Sequence, residues 1–222
     1  AAAANERGQV VGTRTSWADP EAPAVEAVAW QGGDVVAAAP PSTVARDVDG
    51  RGRVVVDVWT GRPADPSVAA VWRIGGGLRR LGTLGGTQSW GQAIDDRGRV
   101  AGTSETASGD RHAFLWQDGR MTDLGTLGGA TSGLAEAPEV LGNPMAANVA
   151  DEALNDRGEV AGTSETAGGD RHAFLWRDGR MVDLGTLGGR TSHATALNDR
   201  GQVVGYSETA RGETHAFLWE RG

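Results

Sequence analysis

Residues 169–189 read GDRHAFLWRDGRMVDLGTLGG, and residues 109–129 read GDRHAFLWQDGRMTDLGTLGG. A third start, THAFLW, stands at 214–219. A chain that restates itself at this length is a repeat array, and the repeat outweighs local propensity in deciding the fold. Two further markers show how far the array extends. The turn pattern N/D-x-x-G-x-V begins at Asn5, Asp49, Asp95, Asn155 and Asn198, at intervals of 44, 46, 60 and 43 residues. Short apolar runs end on Trp30, Trp72, Trp116, Trp176 and Trp219, at intervals of 42, 44, 60 and 43. Five units follow, one of them carrying an insertion.

Each unit reads as four short strands. Unit five begins SHATAL, turns through NDRG, runs QVVGYS, loops through ETARGE and runs THAFLW; unit four continues through RDGR into MVDLG. These runs are β-rich or alternating, and Gly, Asp and Asn bound them. Asp178-Gly179 is a two-residue hairpin signal, because a type I′ turn needs positive φ at both central residues. NDRG suits a type I turn followed by a left-handed Gly. Four antiparallel strands in about 43 residues is the size of a propeller blade. The expected fold is therefore all-β: a five-bladed β-propeller in one domain, 1–222. Its blades fall at 1–40, 41–86, 87–129, 148–189 and 190–222, with the insertion at 130–147. Stacked blades bury sheet faces that a single sheet would expose. The run-ending Trp residues are expected in that core.

The units resemble the HAF repeat, which takes its name from the His-Ala-Phe seen here at 112–114, 172–174 and 215–217. The DLGTLGG segments at 123–129 and 183–189 and the following Asn-x-x-Gly turn belong to the same pattern. The likeness covers nearly the whole chain. It is close in units three to five and weak in units one and two, where the runs are AVAW at 27–30 and AAVW at 69–72. The family is described as an extracellular repeat. The resemblance thus implies architecture and an extracellular location, and leaves the activity open.

Composition narrows the partners. The net charge of −8 argues against a nucleic-acid backbone. No apolar run approaches the ~18 residues of a membrane span. No Cys is present, which excludes disulfide and thiolate chemistry. The Ala-rich start at Ala1 suits a cleaved signal peptide and a trimmed chain equally. The Gly-rich TLGGT and TLGGR lack a phosphate-binding Lys and open no helix. The loop acids match no calcium loop, the His residues lack zinc spacing, and there is no nucleophile elbow. No cofactor and no metal are expected, and the chain is expected to be a monomer.

Alternation of strand direction assigns the tight NDRG and DGR turns to one rim. The other rim receives the strand-two-to-three loops, such as SETASGD at 104–110, the sheet-to-sheet connections and the insertion. A site is expected there. Residues identical between units are expected to be structural, His112, His172 and His215 among them; departures are better site candidates. Counting back from each turn, the first strands place Arg46, Gln92, Glu152 and Thr195 in one register, and Val44, Trp90, Ala150 and His193 two residues earlier. A slip of one residue would exchange these for Asp47, Gly91, Asp151 and Ala194. Tyr206 and Asp57 stand where sister units have Thr103 and Thr163. Trp17, Trp59 and Trp90 fall outside the repeating Trp positions and either line a site or fill gaps. The bland reading is a polar channel with an Arg46–Glu152 ion pair.

Two functions fit. One is binding of a small-molecule or glycan ligand in a single central pocket, through Trp90, Gln92, Thr195, Trp59, Trp17, Tyr206 and Asp57. The other is a cofactor-independent cyclase, isomerase or lyase acting on an apolar metabolite such as a polyketide. There Glu152 and His193 would serve as acid and base, Arg46 as electrostatic stabiliser, and Leu141, Pro144 and Met145 as a lid. An enzyme of that kind would be cytoplasmic. A protein-interaction platform would instead show a flat apolar rim.

Overall fold

The computed structural model describes residues 1–16, 24–59, 66–134 and 153–220. Trp17, the proposed lid residues Leu141, Pro144 and Met145, Ala150, Asp151 and Glu152 lie outside them. The described residues form 19 strands and no helix. The first sheet holds β1 (Ala3–Ala4), β2 (Gln9–Ser16), β3 (Ala24–Gln31) and β4 (Asp34–Ala38). The second holds β5 (Thr43–Val48), β6 (Arg53–Val58), β7 (Val68–Arg73) and β8 (Leu78–Arg80). The third holds β9 (Gly85–Ile94), β10 (Val100–Thr106), β11 (Arg111–Gln117) and β12 (Arg120–Asp123). Next come β13 (Gly128–Gly133), β14 (Val160–Thr166), β15 (Arg171–Arg177) and β16 (Arg180–Asp183), then β17 (Gly188–Leu197), β18 (Val203–Thr209) and β19 (Thr214–Trp219). Within each group every strand pairs antiparallel with the next. One parallel bridge, Arg171↔Thr191, joins the last two groups into a seven-stranded sheet. We refer to β13–β16 as the fourth sheet group and β17–β19 as the fifth.

The turn chemistry explains this regularity. Asp178 and Gly179 both have positive φ, 51° and 75°, as do Asp118 and Gly119 at 51° and 89°. Both hairpins are therefore type I′, whose twist matches the flanking strands. At the N/D-x-x-G turns the Gly N–H returns to the carbonyl of the first residue, as in Gly201 to Asn198 at 2.9 Å. The Gly itself is left-handed, at φ 78° there. The SETASGD, SETAGGD and SETARGE loops at 104–110, 164–170 and 207–213 are shorter than expected. Ser-Glu-Thr continues the second strand, and a four-residue turn follows, closed by Gly109 N–H to Thr106 O at 3.0 Å. That rim thus carries tight turns in units three to five.

The core lies between successive sheets. Val11, Ala27 and Ala29 of the first meet Val54, Ala70 and Trp72 of the second. Val55 and Ala69 meet Val100, Phe114 and Trp116. Ala101, Ala113 and Leu115 meet Val160 and Phe174. Ala161, Ala173 and Leu175 meet Val203, Phe217 and Trp219. Strand alternation sends Ala and Leu of A-F-L-W forward and Phe and Trp backward. On the fifth group the forward residues Val204, Ala216 and Leu218 are exposed, Leu218 by 59%. Not all the repeating Trp residues reach the core: Trp72 and Trp116 are 1% and 8% exposed, whereas Trp30, Trp176 and Trp219 are half-buried. The fully buried aromatics beside Trp72 are Phe114 and Phe174.

Polar contacts repeat at the same junctions. The N–H groups of Ala27, Ala69, Ala113 and Ala173 donate to the hydroxyls of Thr43, Ser89, Ser132 and Ser192 on the next sheet, at 2.9–3.0 Å. On the turn rim Arg53 reaches the carbonyls of Asp96 and Arg97, and Arg99 that of Asn155. Each junction thus joins apolar packing to satisfied buried backbone groups.

Candidate functional site

The first strands alternate in burial. Val44, Arg46, Trp90, Gln92, His193 and Thr195 are half-buried, whereas Asp47, Gly91 and Ala194, one residue away, are buried between sheets. Cross-strand register identifies equivalent positions: Val44↔Asp57, Trp90↔Thr103, Gly133↔Thr163 and His193↔Tyr206. The place assigned to Ala150 by counting back from the turn is therefore taken by Gly133. β13 already occupies Gly128–Gly133, so the extra residues of unit four follow this strand instead of preceding it. A Cβ on Gly133 would lie 3.2 Å from Thr103 Oγ1.

On the fifth group, His193 stacks on Tyr206 with ring centroids 4.9 Å apart and planes at 23°. Its Nδ1 lies 3.3 Å from Thr163 Oγ1 on the neighbouring sheet. Burial, and then the charge of Arg171, hold the His193 pKa below its ordinary 6.5. The imidazole is neutral at pH 7 and offers one donor and one acceptor. Thr195 turns its hydroxyl to the Val204 carbonyl at 3.2 Å. On the third sheet, the Arg111 guanidinium lies 4.9 Å from the Trp90 ring centroid. Thr103 Oγ1 donates to Gln92 Oε1 at 3.2 Å.

Arg46 and Asp57 form a separate group. Arg46 Nε lies 2.6 Å from Asp57 Oδ2. Asp57 Oδ1 accepts the Gly91 N–H at 3.0 Å across the sheet junction. Burial raises the Asp57 pKa against the opposing pull of Arg46 and Gly91. Thr13 has the same role at the preceding junction, accepting from Ala45 N–H at 3.1 Å. Asp57 is thus a clasp between the second and third sheets. Trp59, at the end of β6, has its Nε1 buried with no hydrogen-bond partner. The structure brings together His193, Tyr206 and Thr163, and separately Gln92 and Thr103. No hydrogen bond or ring contact joins Trp90 to His193. Among the described residues no cluster of His, Asp and Glu has the arrangement of a metal site.

Asp47, which the alternative register would have placed in the site, joins the same junction. It accepts Val48 N–H and Ile94 N–H, each at 2.7 Å. Burial pushes its pKa up to about 6 from 3.8. A carboxyl whose folded pKa is raised stabilises the fold fully below its unfolded pKa and loses that contribution as pH rises through the folded value. Between about pH 4 and 7, Asp47 should thus remove roughly 3 kcal/mol at most, and Asp57 acts in the same direction. Chemical denaturation of the parent and Asp47→Asn across that window checks this. An unchanged pH slope in the variant, with the Asp47 carboxyl titrating near its unfolded value, would refute it.

The histidines of H-A-F are placed by their own sheets. His112 Nδ1 lies 2.9 Å from Asp123 Oδ2, and His172 Nδ1 the same distance from Asp183 Oδ2. Among the described residues His215 has no such Asp; Glu213 lies 3.9 Å from its Nε2.

No family model matches the sequence, and no curated protein does. Solved structures do resemble it. The β-propeller domain of the Trilobed protease from Pyrococcus furiosus, described with an open velcro topology, matches with a TM-score of 0.55 at 13% identity, over 90% of this chain and 60% of that one. TolB from Acinetobacter baumannii matches at 0.56 and 11%, over 95% of this chain and 50% of that one. The acylaminoacyl peptidase of Pyrococcus horikoshii matches at 0.58 and 13%, over 96% of this chain and 35% of that one. This chain therefore spans less than two thirds of each. At these identities the likeness establishes the fold alone: an all-β chain of antiparallel sheets with the architecture of a repeat β-propeller.

Proposed function

We propose that the chain is a five-bladed propeller of HAF-type repeats that binds one small-molecule or glycan ligand in a single central pocket. The pocket opens on the face of the strand-two-to-three turns. Taking β13–β16 and β17–β19 as separate blades gives the count of five, since one bridge alone pairs their strands. The binding reading rests on a contrast within the first strands. Their buried register repeats a hydroxyl, at Thr43, Ser89, Ser132 and Ser192, making one kind of bond. Their half-buried register carries Val44, Trp90, Gly133 and His193. Sameness at the sheet junctions and difference one residue away suit a uniform scaffold with one asymmetric site. Trp90 supplies a stacking face. His193 and Thr163 supply hydrogen bonds without net charge. Gly133, on the sheet group between those of Trp90 and His193, supplies no side chain. A neutral ligand with one apolar face and several hydroxyls suits that set. Binding takes precedence over the cyclase, isomerase or lyase reading because Arg46 is already ion-paired with Asp57. An extracellular monomer accords with a binding role.

Ligand-observed NMR against neutral oligosaccharides and hydroxylated aromatic compounds tests the reading. Trp90→Ala and His193→Ala should each weaken the compounds that bind by about tenfold or more, the effect of removing a central contact. Affinity should hold above pH 7 and fall on acidification below the lowered His193 pKa. Compounds that bind both variants as tightly as the parent would sink the proposal.

A further inference from the structure

The third residue of the N/D-x-x-G turn is Arg in all five units: Arg7, Arg51, Arg97, Arg157 and Arg200. It stays Arg in units one and two, where AFLW has become AVAW and AAVW. The neighbouring turn positions have internal roles. The side-chain oxygen of the first residue caps the turn, and the fourth is the left-handed Gly. The fold asks of the third only its main-chain N–H, which donates to that oxygen at 2.8–3.1 Å. Any residue but Pro supplies that bond. The five guanidiniums are exposed and, among the described residues, make no hydrogen bond, ion pair or ring contact. Elsewhere Arg is used internally: Arg53 and Arg99 close on Asp49 and Asp95, and Arg79 and Arg111 lie on Trp rings. A side chain that repeats without an internal contact points to a role outside the chain.

The five turns stand together. Asn5 Nδ2 donates to Asp49 O at 2.8 Å, and Gly50 N–H to Asp96 Oδ1 at 2.7 Å. Arg99 reaches Asn155 O, and Asn155 Nδ2 donates to Asn198 O at 3.0 Å. Each turn is thus tied to the next, and the arginines form one row at intervals of about 10 Å, the separation of stacked sheets. Of the acids at the second turn position, Asp96 and Asp199 are turned onto N–H groups of the preceding turn. Glu6 and Asp156 are the other carboxylates there, and Gly50 takes the position in unit two. These turns join first strands to second, the strands nearest the axis of a propeller, so the row curves round the channel mouth opposite the pocket.

We propose that this row of arginines is a second binding site, for a compact polyanion carrying several phosphate or carboxylate groups. Guanidinium forks take either group through paired hydrogen bonds. The net charge of −8 and the wide spacing disfavour a nucleic acid, whose duplex places a charge every ~1.7 Å. A compact ligand instead meets several guanidiniums at once, while exposed acids more than about 8 Å away are screened at physiological salt. The proposal rests on the five-bladed reading, which sets the turns about one axis, and not on what the pocket binds.

Isothermal titration calorimetry of the intact chain with inorganic tripolyphosphate, citrate and orthophosphate, at matched ionic strength, tests this. Tripolyphosphate or citrate should bind one per chain and about tenfold or more tighter than orthophosphate, because one ligand engages several arginines. The tighter of the two identifies the favoured group as phosphate or carboxylate. Arg51→Gln, Arg97→Gln and Arg157→Gln should each weaken that binding by about threefold or more, and a pair of them should multiply the loss. Their side chains touch nothing, so thermal melts should match the parent. Arg120 and Arg180 are equally exposed on the outer hairpin turns of the same rim. Arg120→Gln and Arg180→Gln should leave the affinity within about twofold. No binding of tripolyphosphate or citrate at millimolar concentration would overturn the proposal. So would several equivalent ions per chain, or losses as large from the outer variants, since either reduces the row to general surface charge. Neutral compounds that bind through Trp90 and His193, with no response to tripolyphosphate or citrate, would keep the pocket and reject this site.

Discussion

Phe174→Ala should lower the free energy of unfolding by about 3–5 kcal/mol, the range for emptying a buried aromatic position. Phe174 has no exposed surface and lies between the third sheet and the fourth group, against Ala93, Leu115 and Leu134. The space cannot easily collapse. The ring lies over Gly162, where a Cβ would come within 2.8 Å of Cε1 and Cζ and within 2.3 Å of the Gly133 carbonyl oxygen. The strand backbones are therefore already as close as they can come, and deleting the ring leaves a void. Its counterpart Phe217 is half-buried on the fifth group, so Phe217→Ala should cost less than half as much. Denaturant unfolding of the two variants decides this. A loss under about 1 kcal/mol at Phe174 would show that the sheet junctions do not carry the stability.

The architecture was legible in the sequence because its signals are local. Asp178-Gly179 and the N/D-x-x-G turns dictate their φ values whatever surrounds them, and their spacing gives the sheets. The half-buried register at Trp90 and His193 was legible for a similar reason: no residue intervenes between those strands and their turns. The count failed in unit four, where it crossed the extra residues and put Ala150 in the place of Gly133. A signal was there to be read, since GGATSG at 128–133 matches GGTQSW at 85–90 and GGRTSH at 188–193. Long-range partners were not legible. Asp57 looked like a departure in a binding position because nothing in its own strand announces Gly91 N–H as the group it accepts. The rank of Trp as a core marker misled as well, since burial depends on the neighbouring sheet and the smaller Phe sits deeper.

Asp95→Ala should destabilise by about 3–5 kcal/mol, because it strands a buried guanidinium. The side chains of Asp95 and Arg99 are 3% and 8% exposed, and Nε lies 2.5 Å from Oδ2. Asp95 also accepts the N–H groups of Arg97 and Arg99, so it holds the turn as well as the charge. The guanidinium continues over the next turn, where a Cβ on Gly158 would meet Nη1 at 2.3 Å. The repeats suggest how the loss can be avoided. The first turn residue and the one four later are matched in every unit: Asp49 with Arg53 and Asp95 with Arg99, but Asn5 with Gln9, Asn155 with Glu159 and Asn198 with Gln202. Acid goes with Arg and amide with Gln or Glu. The amide version spans the same junction, since Gln9 Oε1 would lie 3.2 Å from a Cβ on Gly52. Asp95→Asn combined with Arg99→Gln should therefore stay within about 1 kcal/mol of the parent, as expected when both members of a buried pair are exchanged together. Either single exchange should cost more than the pair. A double-mutant cycle by denaturant unfolding measures the coupling directly. If the paired variant is as unstable as Asp95→Ala, the matching between units is incidental and the turn-to-turn clasp is not what holds this rim.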